Sequence, residues 1–304
     1  MSGSLPAPGS VPGRAADLTE RTADLHADPE AVNVHVATVD GGFDPATVDL
    51  AEDGYEGANA GDLGRLAAAV AAIGAAGDDD AGGEAGNASL HHPEPVVGAE
   101  GPWLVVEPTA GRLSTVHAGR GELAVDLIEP PAGVDAGLRA TREALDELLE
   151  AVRPDHEHYP VERDEEGVFT RGMTTLSLAG VDAGGEGTTV RFDVSTTPDT
   201  TADAVEGLVS DLSCVRVARY EPVVELDRSE PPASLLRAAE TTAEAAVGDW
   251  EYEWYPEPTG FSDLPTASKL ALGTGRPGAG VFREDEYERC RALLRGTIAR
   301  YGDR

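Results

Sequence analysis

The sequence holds a single lysine, Lys269, and its 23 basic residues face 56 acidic ones, for a formal net charge of −33 over 304 residues. That shortage of positive charge argues against nucleic acid as a partner, because phosphate contacts draw on basic patches. Cysteine is nearly absent as well. Cys214 and Cys290 are too few and too dispersed for a disulfide framework or a cysteine metal cluster, and read as buried thiols. No run approaches the roughly 18 apolar residues of a membrane-spanning helix. Met1–Arg14, rich in Pro, Gly and Ser, lacks the charged segment and apolar run of a secretory leader. These absences together predict a cytoplasmic protein with no membrane partner.

What is present in excess is carboxylate. So much like charge repels itself in dilute buffer, whereas molar salt shortens the screening length to about 3 Å. The composition therefore fits a halophile-type protein of a salt-rich cytoplasm. A hydrophobic content of 40% with clear periodicity sets the chain apart from an acidic disordered one.

The pattern along the chain divides it in three. The first hundred residues read as loop-rich, with short apolar runs such as Val32–Val39 and one helix, Asp62–Ala76, made almost wholly of alanine and leucine. Gly77–Glu100 reads as a flexible acidic insert, and order resumes in a buried strand at Trp103–Val106. In the middle third Leu123, Val125 and Leu127 alternate with Ala124 and Asp126, and Val190, Phe192 and Val194 with Arg191 and Asp193, as half-buried strands do. With helices expected at Asp135–Arg153 and Thr201–Leu212, and strands at Met173–Leu178 and Cys214–Ala218, the order is strand, helix, strand, strand, helix, strand. That is the ferredoxin-like α+β arrangement. The last third carries a helix at Pro232–Val247, an aromatic strand at Trp250–Tyr255, and a long helix from Arg283 to Tyr301 with Leu294, Ile298 and Tyr301 on its packed face. The middle unit thus reads as an insertion, 113–222, into an α/β domain built from 1–112 and 223–304.

Four segments carry a family likeness. Val105-Val106-Glu107-Pro108-Thr109, followed by His117-Ala118-Gly119, resembles a strand ending in Glu-Pro-Thr/Ser that turns into an inserted domain. Val190–Pro198 resembles a strand of the form Asp-x-Arg-x-x-Pro. Gly260-Phe261-Ser262-Asp263 resembles a Gly-Thr-Ser-Asp loop, and Gly275-Arg276-Pro277-Gly278, with Asp285-Glu286-Tyr287, a Gly-Pro-Gly and His-Thr-x-x-Glu ending. In this order and spacing they resemble the two-zinc metallopeptidase and aminoacylase family of succinyl-diaminopimelate desuccinylase, acetylornithine and acetyl-lysine deacetylases, and glutamate carboxypeptidase. The likeness implies a reduced zinc-peptidase-like α/β domain with an inserted ferredoxin-like domain that serves as lid and dimer contact. A homodimer, or pairing with a paralogue through that insert, is the partner it implies.

It also implies a ligand set that can be counted. The family reaction uses two zinc ions, about 3.5 to 4 Å apart, that clamp a hydroxide and polarise the scissile carbonyl. Their cage needs His and carboxylate ligands, a bridging Asp and a free Glu as base. On this likeness His35, Asp62 and Glu107 are the residual metal candidates, and Ser262 and Asp263 the substrate-loop candidates. Much else is replaced. The acid expected two residues after His35 is Ala37, the C-terminal ligand histidine maps onto Phe282, and the arginine that grips a substrate carboxylate maps onto Ser195. No Glu-Glu pair lies between Asp62 and Trp103, where isolated glutamates such as Glu84 stand, and no histidine lies between Ile128 and Asp135.

The surviving residues have plainer readings. His35 can be an ordinary hydrogen-bonded or surface histidine, Asp62 a helix N-cap, Glu107 a residue kept by its neighbours, and Asp263 the cap of a short helix at Leu264. His91-His92 and His156-Glu157-His158 read as solvated loop residues. The expectation is a pseudoenzyme with no catalytic residues and no bound cofactor, kept for binding or assembly. The alternative is a diverged hydrolase of N-acyl amino acids or peptides that uses zinc, cobalt or manganese.

Overall fold

The computed structural model describes residues 5–38, 42–74, 87–96, 98–117, 119–128, 143, 146, 162–163, 169–171, 175–184, 187–196, 201–224, 227–248, 250–252, 264, 266, 268–275 and 280–302. The helices are α1 (Val11–Arg21), α2 (Ala60–Gly74), α3 (Ala202–Gly207), α4 (Ala233–Ala246) and α5 (Glu284–Gly302). Strands β1 (Val32–Val36), β2 (Val48–Leu50), β3 (Gly54–Gly57), β4 (Ala88–His91), β5 (Trp103–Val106) and β6 (Leu113–Ser114) precede the middle third. There lie β7 (Val116–His117), β8 (Gly119–Leu127), β9 (Glu162–Arg163), β10 (Phe169–Arg171), β11 (Thr175–Gly184), β12 (Gly187–Thr196), β13 (Val215–Val224) and β14 (Asp227–Arg228); β15 (Lys269–Leu272) and β16 (Val281–Arg283) follow. Two compact units result, one built on Val116–Asp227 and the other on the segments before and after it. The breaks fall at 115/116 and 227/228, against 112/113 and 222/223 read from the sequence.

The larger unit is organised by a five-stranded sheet in the order β4-β1-β5-β15-β6. Its first four strands are parallel and β6 runs antiparallel to β15. Alternation sorts the side chains onto two faces. Val32, Val34, Val36, Leu90, Leu104, Val106, Leu270 and Leu272 point to one and join a core with Val11, Ala15 and Leu18 of α1 and Leu293, Leu294 and Ile298 of α5. Helix α2 is apolar all round except for Asp62 and Arg65, as suits a helix surrounded on every side. Every residue of it except Ala71 and Gly74 is buried, and it packs against both α1 and α5. The opposite face of the sheet is mixed. It carries Ala37, Trp103, Val105 and Ala271 in a small apolar cluster, beside buried Asn33, His35, Ser89, His91 and Lys269. Lys269 is only 1% exposed, and its Nζ donates to the Leu264 carbonyl at 3.0 Å.

Two elements depart from the sequence reading. Ala88–His91 falls in the stretch read as a flexible insert, yet forms β4, a fully buried strand paired in parallel with β1. Gly86, Asn87 and Pro93 around it gave a loop-like composition to a segment whose four residues all find partners in the sheet. The N-terminal Pro-Gly-Ser stretch leads into α1, with Pro at its start where a missing amide hydrogen does no harm. Of the expected strand Trp250–Tyr255, Tyr252 bridges to Leu113; residues beyond it lie outside the described chain.

The smaller unit is a four-stranded antiparallel sheet in the order β11-β12-β8-β13. Counted from the start of the unit this is 2-3-1-4, the ferredoxin-like strand order. Val125 faces Val190 and Leu123 faces Phe192 across the central pair, and Val205 and Val209, on α3 and just after it, close that core. The helix expected at Asp135–Arg153 lies outside the described residues except for Glu143 and Asp146, both helical.

Candidate functional site

In open parallel sheets, binding sites form beyond the carboxyl ends of the strands. Here β1 ends near His35, β4 at His91 and β5 just before Glu107. His35 pairs across with Val105, and the Ala37 amide donates to the Val106 carbonyl at 3.1 Å, so His35, Ala37 and Glu107 share the C-terminal edge of two adjacent strands. His35 is 6% exposed, with Nδ1 3.4 Å from the His91 carbonyl oxygen, and Glu107 is fully buried. Ala37 completes the apolar cluster with Trp103 and Ala271. An alanine in apolar packing thus stands where the likeness expects an acid.

Glu107 is held in place by its backbone. Its amide donates to the Leu272 carbonyl at 3.1 Å, its carbonyl accepts from the Thr109 amide at 2.8 Å, and the Thr109 hydroxyl donates to the carbonyls of Arg112 and Gly273 at 2.7 and 3.1 Å. Gly273 lies so close that a Cβ there would sit 2.1 Å from the Glu107 carbonyl oxygen. The Glu-Pro-Thr turn is therefore clamped on the loop after β15, and glycine is what that approach requires.

Asp62 is neither a helix cap nor in open contact with solvent. It is the third residue of α2, fully buried, and its Oδ1 lies 2.6 Å from Nη2 of Arg65, itself fully buried. Its Oδ2 accepts from the Gly42 amide at 3.3 Å. The i,i+3 spacing stacks the two side chains on one side of the helix, and a guanidinium takes the carboxylate that the likeness proposes as a metal bridge. Arg65 was not singled out from the sequence, where only its spacing of three from Asp62 hints at the pair.

Phe282 completes the substitution. It is fully buried on β16, opposite Tyr55 of β3. Its ring lies against Gly64 so closely that a Cβ on that glycine would come within 2.1 Å of Cδ1. An aromatic ring thus lies over the first turns of α2, two residues from Asp62, at the position where the likeness expects a histidine ligand.

His91 corrects the loop reading of His91-His92. It is buried on β4, stacked on His26 at 4.2 Å between ring centroids and tilted against Trp103 at 4.4 Å. Nδ1 accepts from the Val96 amide at 3.1 Å, which leaves the proton on Nε2, and Nε2 donates to Oδ1 of Asn33 at 2.9 Å. Burial, with His26 and His35 adding to it, pushes its pKa down to about 3. Burial likewise lowers His92, whose ring meets Phe43 edge-on. These are neutral, packed histidines.

Among the described residues no three His, Cys, Asp or Glu side chains are grouped so as to hold a metal ion. With Asp62 engaged by Arg65 and Phe282 and Ala37 in apolar packing, the described residues do not make the two-metal cage. Ser262, Asp263, Glu84, His156 and His158 lie outside the described residues, and so does the side chain of Ser195, whose backbone pairs with Arg120.

No family model matches the sequence, and neither does any curated protein. Solved structures do match. Those similar to the chain include the M20 family metallo-carboxypeptidase Sso-CP2 of Sulfolobus solfataricus, at 14% identity and a TM-score of 0.53, covering 95% of this chain and 93% of the other. The fold is that of the M20 metallopeptidases. Aminopeptidase PepT of Bacillus cereus aligns with a TM-score of 0.55 and 10% identity over 96% of this chain and 92% of its own. The dipeptidase Dug1p of Saccharomyces cerevisiae gives 0.53 and 15% identity over 90% and 80%. At such identities the M20 likeness is one of fold, so the reading of the site rests on this chain's own residues.

Proposed function

We propose that this chain is a non-catalytic homologue of the N-acyl-amino-acid deacylases and metallopeptidases, with the M20 fold retained for binding or assembly. The observation that carries the reading is the buried pair Asp62–Arg65. A carboxylate already neutralised by a guanidinium at 2.6 Å gains little from a metal ion, and the positive charge beside it repels one. Ala37 and Phe282 support the same reading, because each puts apolar packing where the likeness expects a ligand. Assembly is the use such losses leave intact: the inserted unit, which the likeness implies to be a dimer contact, is the surface through which a second copy or an active paralogue would bind.

The test is metal content and turnover of the purified full chain in concentrated KCl. Less than about 0.1 equivalent of zinc, cobalt or manganese, with no hydrolysis of N-acetyl or N-succinyl amino acids, is the expected result. One or two equivalents together with turnover would sink the proposal in favour of a diverged metal-dependent hydrolase. That second reading keeps one point in its favour, since His35 and Glu107 remain buried at neighbouring strand ends.

A further inference from the structure

On the helical side of the larger unit, α1, the end of α2 and the start of α5 enclose a cleft of about 700 Å³. Arg14 and Arg21 of α1 and Arg291 of α5 line it, with Asp17 as the one acidic residue among its described walls. In a chain with more than twice as many acidic as basic residues, such a local excess of guanidinium is unusual. How those arginines are paired is more telling. Arg65, Arg112, Arg120, Arg191, Arg216, Arg219, Arg283, Arg289 and Arg291 all sit within 4 Å of a carboxylate, whereas Arg14 and Arg21, like Arg237, Arg295 and Arg300 elsewhere, make no ion pair among the described residues. Abundant carboxylate has left these two forks open.

Their placement suits a ligand carrying several charges. Arg14 and Arg21 are seven residues apart on one face of α1, two turns or about 10 Å along the axis. Arg291 approaches from α5, its Cζ 5.8 Å from the Tyr287 ring centroid and its guanidinium on Glu288 at 2.5 Å. Burial raises the pKa of the Tyr55 and Tyr287 phenols, and Arg14 lies near enough to both to oppose that shift. Buried Leu18 and Val70 give the cleft an apolar floor. Its volume falls within the range of small-molecule sites, well beyond a single chloride or orthophosphate. Guanidinium forks hold phosphate and carboxylate oxygens in pairs, so several of them around one cleft suit a ligand with several such groups.

We propose that the cleft between α1, α2 and α5 binds a multivalent oxyanion, a small molecule bearing two or more phosphate or carboxylate groups, held by Arg14 and Arg21 with Arg291 opposite. This site is separate from the strand-end residues and does not depend on whether those are catalytic.

Calorimetric titration of the full chain tests it, in the lowest KCl at which circular dichroism shows the protein folded, without divalent cations. Inorganic tripolyphosphate is the phosphate probe and citrate the carboxylate probe. Saturable one-to-one binding of at least one probe is expected, weakened tenfold or more in R14Q/R21Q and unchanged in R237Q, which removes an exposed arginine from α4. Binding of tripolyphosphate alone assigns the site to oligophosphates, and binding of citrate alone to polycarboxylates. Failure of both probes to saturate, or equal affinity in R14Q/R21Q and the native chain, overturns the proposal. The two replaced arginines are exposed and make no ion pair among the described residues, so an unchanged circular dichroism spectrum is expected of the variant.

Discussion

Asp62 and Arg65 set the energetics of the strand-end region, because each is fully buried and each neutralises the other. Removing one partner strands a charge out of water, so Asp62→Ala is expected to destabilise the fold by about 3–5 kcal/mol. Replacing both by hydrophobic residues of similar volume, Asp62→Leu with Arg65→Met, should be close to neutral on the same argument. Chemical denaturation of the two variants in concentrated KCl measures the difference, and a double variant as unstable as the single one would mean that the pair does more than balance charge. His91 makes a prediction in pH. Its folded pKa of about 3 lies below the ordinary 6.5, so between those values the unfolded chain takes up a proton that the folded chain refuses. The stability due to neutral His91 is complete above pH 6.5 and drains as pH falls toward 3, with a slope approaching about 1.4 kcal/mol per pH unit. Carboxylate self-repulsion eases over the same range and acts in the opposite direction. The observable is therefore the native slope minus that of His91→Gln, which should be positive between pH 4 and 6.

Helix α2 and strand β16 form a matched pair, since Phe282 packs into the space that Gly64 leaves on the helix. Gly64→Ala would normally favour a helix interior, but here the methyl meets a buried ring, and overpacking of about 1–3 kcal/mol is expected instead. Phe282→Leu in the same chain should recover part of that loss, and thermal denaturation of the single and double variants reads the coupling directly. The elements that could be read from the sequence were those whose period survives on its own. In α5, Leu294, Ile298 and Tyr301 are buried as their spacing requires, and in β8 the alternation of Leu123, Val125 and Leu127 matches a half-covered sheet. Strand β4 was illegible because Ala88-Ser89-Leu90-His91, unlike the continuous apolar run of β5, mixes polar with apolar residues, and its partners lie more than fifty residues away on β1. Helix α1 was hidden behind Pro12 and Gly13, residues that signal a loop except in the first turn of a helix. Of the candidate site, the apolar residues Ala37 and Phe282 could be read from the sequence, and both are buried. That Arg65 had taken over Asp62 could not, because a buried ion pair looks, in one dimension, like any aspartate followed by any arginine.

For the whole molecule, the net charge of −33 means that folding draws carboxylates together against their mutual repulsion. Screening falls from about 10 Å at 0.1 M salt to about 3 Å at 1 M, so the thermal midpoint should climb steeply over that range of KCl. A midpoint independent of salt would show that the acidic surface is stabilised by something other than screening. Among the described residues, no helix is long and apolar enough to cross a membrane. Lys269 adds a practical consequence at this scale. With the chain's only lysine enclosed in the central sheet and donating to Leu264, the folded protein presents no side-chain amine to a reagent in solution. Acylating dyes and amine-directed crosslinkers should leave that position unmodified until the sheet itself opens. The rate at which Lys269 is tagged, followed by mass spectrometry, then becomes a built-in clock for global unfolding, needing no engineered probe.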